Sequence, residues 1–206
     1  MENSLPPEHV FQESDSNTCG PSSLAMIYRM KGKDISVKEI LGDFYQEGKG
    51  EATFAPQLAR HLHSNGINTR LIVSSSKIVS PAWKDLEANA MIKNMKSWLT
   101  HHPKAEWHLN NLHLLFYLQE GGKLDIESYT ADILRNVLDK GSKLIVCVDE
   151  GWLWGHRIER KDGIVKINDE VGKLEGHFVV VTGYEGNKFH ILDPFPTGIS
   201  ESARFI

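Results

Sequence analysis

The order of the predicted secondary-structure elements constrains the fold of this chain more than any other feature. Helical periodicity dominates the first two thirds of the sequence, and patterns typical of β-strands come mainly at the end. Helices are predicted directly after Cys19 and at about 36–45, 53–64, 85–99, 109–118 and 128–140; strands are predicted at about 68–73, 143–148, 157–159, 164–167, 178–184 and 188–192. The sequence has no internal repeat and no βαβ alternation, so it predicts an α+β fold rather than a doubly wound one.

Length and composition suit one domain that carries an insertion. The chain has 206 residues, of which 40% are hydrophobic and 24% charged, as in an ordinary globular protein. Residues 74–126 differ from the rest, because this tract is rich in aromatic residues and histidines and contains Trp83, Trp98 and Trp107. We therefore expect a single domain over residues 1–206, with a helical insertion at residues 74–126.

Charge and hydropathy argue against several classes of partner. Acidic residues outnumber basic ones by 27 to 23, which gives a net charge of −4 and no basic field for nucleic acid. The sequence lacks the ~18 consecutive apolar residues of a membrane helix, and its N-terminus lacks the pattern of a secretory signal. Its two cysteines lie far apart, unlike a disulfide framework. We expect a cytoplasmic protein with neither nucleic acid nor membrane as a partner.

Cys19 is the first candidate for chemistry because it begins a predicted helix. Pro21 suits the first helical turn, and apolar residues follow at helical spacing. The unpaired backbone N–H groups and the dipole at a helix N-terminus favour a thiolate, so Cys19 could be a nucleophile; plain packing is the alternative. Cys147 lies in the apolar run 144–148 and is expected to be an inert core residue.

A late predicted hairpin carries a histidine and an aspartate. His177 stands at the start of the apolar strand 178–184, and Asp193 stands at the exit of the next strand. If the loop centres on Gly186, the two residues share one face of the hairpin and can touch diagonally. A two-residue loop at Gly186-Asn187 shifts the pairing by one and places them on opposite faces. A catalytic pair therefore requires a loop of odd length or a β-bulge; otherwise each residue only ends a strand.

Two segments together resemble a known family. Residues 12–26 read QESDSNTCGPSSLAM, and the later motifs are GHFVVVTGY at 176–184 and Asp193-Pro194. In this order and with these neighbours, the motifs resemble those of papain-like cysteine peptidases of the bacteriocin-processing, double-glycine leader peptidase type. The resemblance covers about residues 8–73 and 128–197 and leaves out the insertion at 74–126.

The resemblance implies a papain-like fold and a role for four residues. An N-terminal helical layer would carry the nucleophile Cys19, and a C-terminal antiparallel sheet would carry His177 and Asp193. His177 would take the thiol proton and later protonate the leaving group, while Asp193 would orient the imidazole. Gln12 would lie close to Cys19 and donate a side-chain N–H to the oxyanion. Without the resemblance, Gln12 would be interpreted as an exposed loop residue.

These residues predict a cysteine hydrolase, either a peptidase or an amidase, that forms a thioester on Cys19. An acyltransferase or peptide-bond-forming enzyme would use the same acyl-enzyme with an amine or thiol acceptor. A non-catalytic peptide-binding module on the same fold is the third possibility. The expected partner is a peptide or small amide substrate, with a partner protein or carrier as a further possibility. The insertion would pack beside the cleft and select the substrate.

Neither a cofactor nor a metal is expected. Four histidines cluster in sequence, namely His101, His102, His108 and His113. The spacing of His108 and His113 does not place them on one helix face, and the cluster lacks a metal-binding motif. Three tryptophans could line a substrate groove, although core packing is their commoner use: Trp107, Trp152 and Trp154.

Overall fold

A computed structural model describes residues 6–13, 16–46, 53–161, 164–173, 175–196 and 203–205. The helices are α1 (Cys19–Met30), α2 (Val37–Gln46), α3 (Ala55–Ser64), α4 (Ala88–His101), α5 (His108–Gln119), α6 (Ala131–Asp139) and α7 (Glu150–Trp154). The strands are β1 (Arg70–Val73), β2 (Lys123–Ile126), β3 (Leu144–Asp149), β4 (Ile158–Lys161), β5 (Ile164–Ile167), β6 (Gly176–Glu185), β7 (Lys188–Leu192) and β8 (Ala203–Phe205). Helices come first and most strands last, so the fold is α+β, as the order of predicted elements indicates.

The chain divides into two compact units. The first combines Met1–Thr53 with Asp132–Ile206, and the second consists of Phe54–Ala131. The second unit is wider than the expected insertion at 74–126. It also contains α3, which packs on α5, and β1, which pairs with β2. These two elements, which the resemblance assigned to the shared fold, therefore pack with the inserted tract.

The first unit is built on a four-stranded antiparallel sheet with the strand order β3-β6-β7-β8. The internal strand β6 contributes Val179, Val180 and Val181 to the core. Helix α1 packs against β6, where the Ser23 hydroxyl donates to the carbonyl oxygen of Phe178 at 3.3 Å. Residues 20–28 of α1 are all buried, so the end of the helix that begins with Cys19 is firmly anchored on the sheet.

Residues 150–175 connect the paired strands β3 and β6, and we call this connection the excursion. It contains α7 and the antiparallel hairpin of β4 and β5. Its two ends are joined, because the backbone N–H of Glu150 donates to the carbonyl oxygen of Glu175 at 3.1 Å. A small buried core lies under the excursion and consists of Trp154, Ile158 and Phe195.

The second unit has its own core beside a parallel pair of strands. β1 and β2 run parallel, with Val73 opposite Ile126, and α4 packs on α5. Fully buried side chains in this unit include Met95, Leu114 and Tyr117. The helical periodicity predicted α4 and α5 but not β2, because a four-residue strand directly after a helix leaves too short a pattern to identify.

Local signals at helix ends predicted the structure well. Helix α1 begins at Cys19, as the sequence indicates. Ser36 and Glu39 form a capping box before α2: the Ser36 backbone N–H donates to Glu39 Oε2 at 2.8 Å, and the Glu39 N–H donates to Ser36 Oγ at 3.2 Å. Within the described ranges, no helix combines the length and apolar character needed to cross a membrane.

Candidate active site

Cys19 is the first residue of α1 and follows Thr18 at the N-cap. The first turn, Cys19-Gly20-Pro21-Ser22, is uncharged, so the positive end of the helix dipole faces Cys19 without compensation from its own turn. Cys19 is half-buried and is a free thiol. Residues 20–28 of α1 are buried whereas Cys19 is half-buried, so an anchored helix holds the sulfur and leaves it accessible to a reagent.

A β-bulge sets the relation between His177 and Asp193. Near the turn, Glu185 lies opposite Lys188, so the loop has two residues. Without a further change of register, such a loop would put His177 and Asp193 on opposite faces. The register shifts at Thr182, and farther from the turn the two strands pair with an offset of one residue. The bulge therefore brings His177 and Asp193 to the same face, which is the alternative that a catalytic pair requires.

The imidazole of His177 is engaged by two side chains. Its Nε2 forms a hydrogen bond of 2.7 Å with Oδ1 of Asp193. The side chain of Cys19 is its other neighbour and, like Asp193, raises the pKa of the imidazole; with Nε2 bonded to Asp193, Nδ1 is the ring nitrogen left for an interaction with the thiol. His177 is 2% exposed, so both contacts are shielded from water.

The charges of these groups stabilise one another. Burial by itself lowers the pKa of His177, but its hydrogen bonds to Asp193 and Cys19, together with their negative charges, raise the pKa to about 9. Burial by itself raises the pKa of Asp193, but the hydrogen bond and positive charge of His177 hold it below its ordinary value. The contacts therefore favour a protonated imidazole beside the Asp193 carboxylate at neutral pH.

Gln12 lies against the segment that carries Asp193. Its backbone N–H donates to the carbonyl oxygen of Pro194 at 2.8 Å, and its Nε2 donates to the carbonyl oxygen of Ser16 at 2.9 Å. The hydroxyl of Ser16 lies 2.7 Å from that of Thr18, the N-cap residue before Cys19. Gln12 is only 6% exposed, so it is not an exposed loop residue. The bond to Ser16 uses one of the two hydrogens on Nε2.

Comparison with known proteins identifies the family. A family model described as Peptidase C39-like matches residues 5–204, a range that also spans the tract 74–126. The chain belongs to the Peptidase C39-like family. No curated protein and no solved structure gives a significant match. Membership supports a cysteine peptidase at the general level, and it agrees with a papain-like arrangement of an N-terminal helix bearing Cys19 and a C-terminal antiparallel sheet.

In this C39-like chain, Asp193 has further partners that sequence reasoning missed. The Trp154 indole N–H donates to Oδ2 at 2.9 Å, and the backbone N–H of Phe195 donates to Oδ1 at 2.9 Å. His9 Nε2 bonds the backbone carbonyl oxygen of Asp193 at 2.8 Å. The ring centroid of Trp154 lies 5.1 Å from that of His177 and 4.7 Å from that of Phe195. Both carboxylate oxygens of Asp193 therefore accept hydrogen bonds inside an aromatic enclosure.

Cys147 does not lie in the core, as the sequence suggested it would. It is exposed, and in the part of the chain that the structure describes β3 is an edge strand, paired only with β6. Its Sγ lies close to Gly176, where a Cβ would stand 3.2 Å from the sulfur. Desolvation by the surrounding protein, and then the charge of Cys19, raise the pKa of the Cys147 thiol to about 11. Cys147 therefore stays protonated at neutral pH, which makes it a poor nucleophile.

The remaining candidates from the sequence are the clustered histidines and the tryptophans. Among the described residues, no group of three or more His, Cys, Asp or Glu is arranged to hold a metal ion. His101 and His108 each bond a backbone carbonyl oxygen through Nδ1. Trp154 is buried beside the candidate site, whereas Trp152 is 90% exposed.

Proposed function

We propose that the chain hydrolyses a peptide or other amide bond through a thioester on Cys19. The observation that carries the proposal is the position of His177, which bonds Asp193 through Nε2 and interacts with the side chain of Cys19. An imidazole in this position can keep a proton that came from the thiol, because its pKa is raised to about 9. Membership of the Peptidase C39-like family supports the same chemistry.

The first half of the proposed reaction acylates the enzyme. The Cys19 thiolate attacks the carbonyl carbon of the scissile amide, and the C=O π electrons move onto oxygen. The Gln12 side chain and the backbone N–H of Cys19 would donate to this oxyanion. As the tetrahedral intermediate collapses, the C–N bond breaks and His177 gives its proton to the leaving amine. Cys19 then holds the acyl group as a thioester.

The second half releases the acid. His177, now neutral, takes a proton from a water molecule as that water attacks the thioester carbonyl. The C–S bond breaks, Cys19 leaves as a thiolate, and the protonated imidazole is restored beside it. Asp193 keeps the ring oriented and stabilises its positive charge throughout.

We infer that the substrate is a peptide cleaved in the manner of double-glycine leader peptides. The support for this finer assignment is the resemblance of the motifs around Cys19 and His177 to those of leader peptidases. If an amine or thiol instead of water attacks the same thioester, the reaction is an acyl transfer. Hydrolysis and acyl transfer therefore differ only in their products.

Intact-mass spectrometry tests the proposal directly. Peptides with a Gly-Gly sequence, and other candidate amides, are incubated with the native chain and with Cys19→Ala and Cys147→Ala variants. We expect an acyl adduct and a hydrolysed product with the native chain and with Cys147→Ala, and neither with Cys19→Ala. Product analysis with and without an added amine separates hydrolysis from transfer. Equal turnover by Cys19→Ala would overturn the assignment of the nucleophile.

We also propose that the tract 74–126 contributes to substrate selection. Its helix α5 exposes the apolar side chains of Leu109 and Phe116. Replacing Phe116 with alanine is expected to raise KM for a peptide substrate while labelling of Cys19 by a small electrophile stays unchanged. Unchanged kinetics after both Leu109 and Phe116 are replaced would contradict this role.

A further inference from the structure

A second pair of charged residues lies behind the candidate site, at the base of the excursion. Arg160 on β4 makes two parallel hydrogen bonds with Glu150 at the start of α7: Nη1 to Oε1 at 3.0 Å and Nη2 to Oε2 at 2.8 Å. Glu150 is 1% exposed, so its charge is compensated almost entirely by this guanidinium. Glu175, at the other end of the excursion, lies 3.5 Å from Arg160 Nη1. The pair therefore joins α7, β4 and the return to β6.

Aromatic contacts connect this ion pair to the candidate catalytic groups. The Arg160 guanidinium carbon lies 5.8 Å from the ring centroid of Phe195. The Phe195 ring lies 4.7 Å from that of Trp154 and 6.3 Å from that of His177. Phe195 and Trp154 each donate a hydrogen bond to Asp193, one to each carboxylate oxygen. A displacement of Arg160 would therefore affect two of the donors to the Asp193 carboxylate.

We propose that Glu150 and Arg160 form a positioning pair, which holds the Trp154 indole and the Phe195 ring against Asp193 and His177. This inference rests on the proposed function and deepens it by adding residues that act through the catalytic ones. Burying two charges gains little stability compared with an apolar pair of the same volume. What the bidentate geometry supplies is a fixed orientation for the guanidinium, and hence for the ring beneath it.

Arg160 can affect the site through its charge or through its contact with Phe195, and the experiment must distinguish the two effects. Arg160 also interacts electrostatically with Cys19, so its charge alone could affect the thiol. An Arg160→Lys variant keeps the charge but loses the planar fork and the stacking on Phe195. Among the described residues, the charged and titratable groups around the His177–Asp193 pair include Cys19 from α1, His9 from the N-terminal segment, Cys147 from β3, and Glu150, Arg160 and Glu175 from the excursion.

The test measures how the reactivity of Cys19 depends on pH. A vinyl sulfone suits it, because the thiolate forms a C–S bond at one alkene carbon while the other carbon takes a proton from the imidazolium. Its rate therefore follows a bell-shaped pH profile, whose alkaline limb reports the loss of the His177 proton. The rate is measured by intact mass for the native chain and for Glu150→Gln, Arg160→Lys and Glu159→Gln. Glu159 is the matched control, since it pairs with Lys166 at 3.1 Å on the same hairpin.

We expect Glu150→Gln and Arg160→Lys to move the alkaline midpoint to lower pH by about one unit, which slows labelling at about pH 9 roughly fivefold. Glu159→Gln should keep the native profile. A native midpoint in a folded Glu150→Gln chain, or an equal shift in Glu159→Gln, would overturn the positioning role. A native midpoint in Arg160→Lys would show that charge alone acts, and would overturn it as well.

Folding is checked by thermal unfolding of each variant. If Glu150→Gln does not fold, Arg160→Lys carries the same test, because it leaves no buried carboxylate without a cation. Failure of the proposed function has a different signature: the native chain itself would then show no bell-shaped labelling of Cys19. That result would overturn the proposed function and this inference together. If the native chain reacts with a bell-shaped profile but the variants do not differ from it, only the inference is overturned.

Discussion

Raising the pH is expected to destabilise the folded chain through His177. Its pKa rises from an ordinary 6.5 to about 9 on folding, so the folded chain binds this proton more tightly than the unfolded chain does. Below pH 6.5 both states are protonated and the stabilisation is complete; as the pH rises through about 9, it is lost. At about 1.36 kcal/mol for each pH unit, this difference corresponds to about 3 kcal/mol of unfolding free energy.

Urea unfolding of the native chain and of a His177→Gln variant measures this contribution. The difference in unfolding free energy between the two chains should shrink by about 3 kcal/mol between about pH 6 and about pH 9. The series stops there because the Cys147 thiol, with a pKa raised to about 11, contributes at higher pH. His190→Gln controls for removing an imidazole from the neighbouring strand. A difference between native and His177→Gln chains that stays constant with pH would refute the reasoning.

Three further predictions follow from single side chains. Gln12→Ala should lower kcat on a cleaved peptide by about 10²–10³-fold through loss of an oxyanion donor, as steady-state kinetics can check. Trp154→Phe should cost about 1.5–3 kcal/mol of unfolding free energy in urea, because it leaves Oδ2 of buried Asp193 without its donor; a cost below that of an ordinary surface change would contradict it. Cys147→Ala should change the unfolding free energy by less than about 0.5 kcal/mol, since the residue is exposed, and should leave labelling of Cys19 unchanged.

Helix boundaries were predictable from the sequence because the interactions that set them are local. The capping box of Ser36 and Glu39 joins residues three apart, and the start of α1 follows from the residues around Cys19. Such signals act within one turn of helix and do not depend on how the rest of the chain packs. The α+β class followed in the same way from the order of these local elements.

The register of the second hairpin shows where local reasoning stops. The sequence reduced the question to two alternatives, and the two-residue loop is the one that by itself separates His177 from Asp193. The bulge at Thr182 reverses that outcome. Its side-chain hydroxyl lies 2.8 Å from Nδ1 of His190 and also donates to the carbonyl oxygen of His190 at 3.4 Å. Whether a strand takes up an extra residue depends on these tertiary bonds and not on the turn.

Burial of an apolar run was predicted less well than its secondary structure. Residues 144–148 form a strand as expected, but β3 lies at the edge of the sheet, and each of its residues is half-buried or exposed. A continuous apolar run does not distinguish an edge strand from a central one. Cys147 was therefore placed in the core by a pattern that contains no information on strand order.

The surroundings of Asp193 explain how a carboxylate can be held there with no exposure to solvent. Oδ1 accepts hydrogen bonds from His177 and the Phe195 backbone, and Oδ2 accepts one from Trp154. An isolated charge at this depth would be neutralised by protonation, but three donors, one of them an imidazole that gains a positive charge, hold the pKa of Asp193 low. One of these donors comes from the excursion, a segment without any catalytic motif. The Asp193–His177 ion pair thus depends on a connection that sequence patterns describe only as a hairpin.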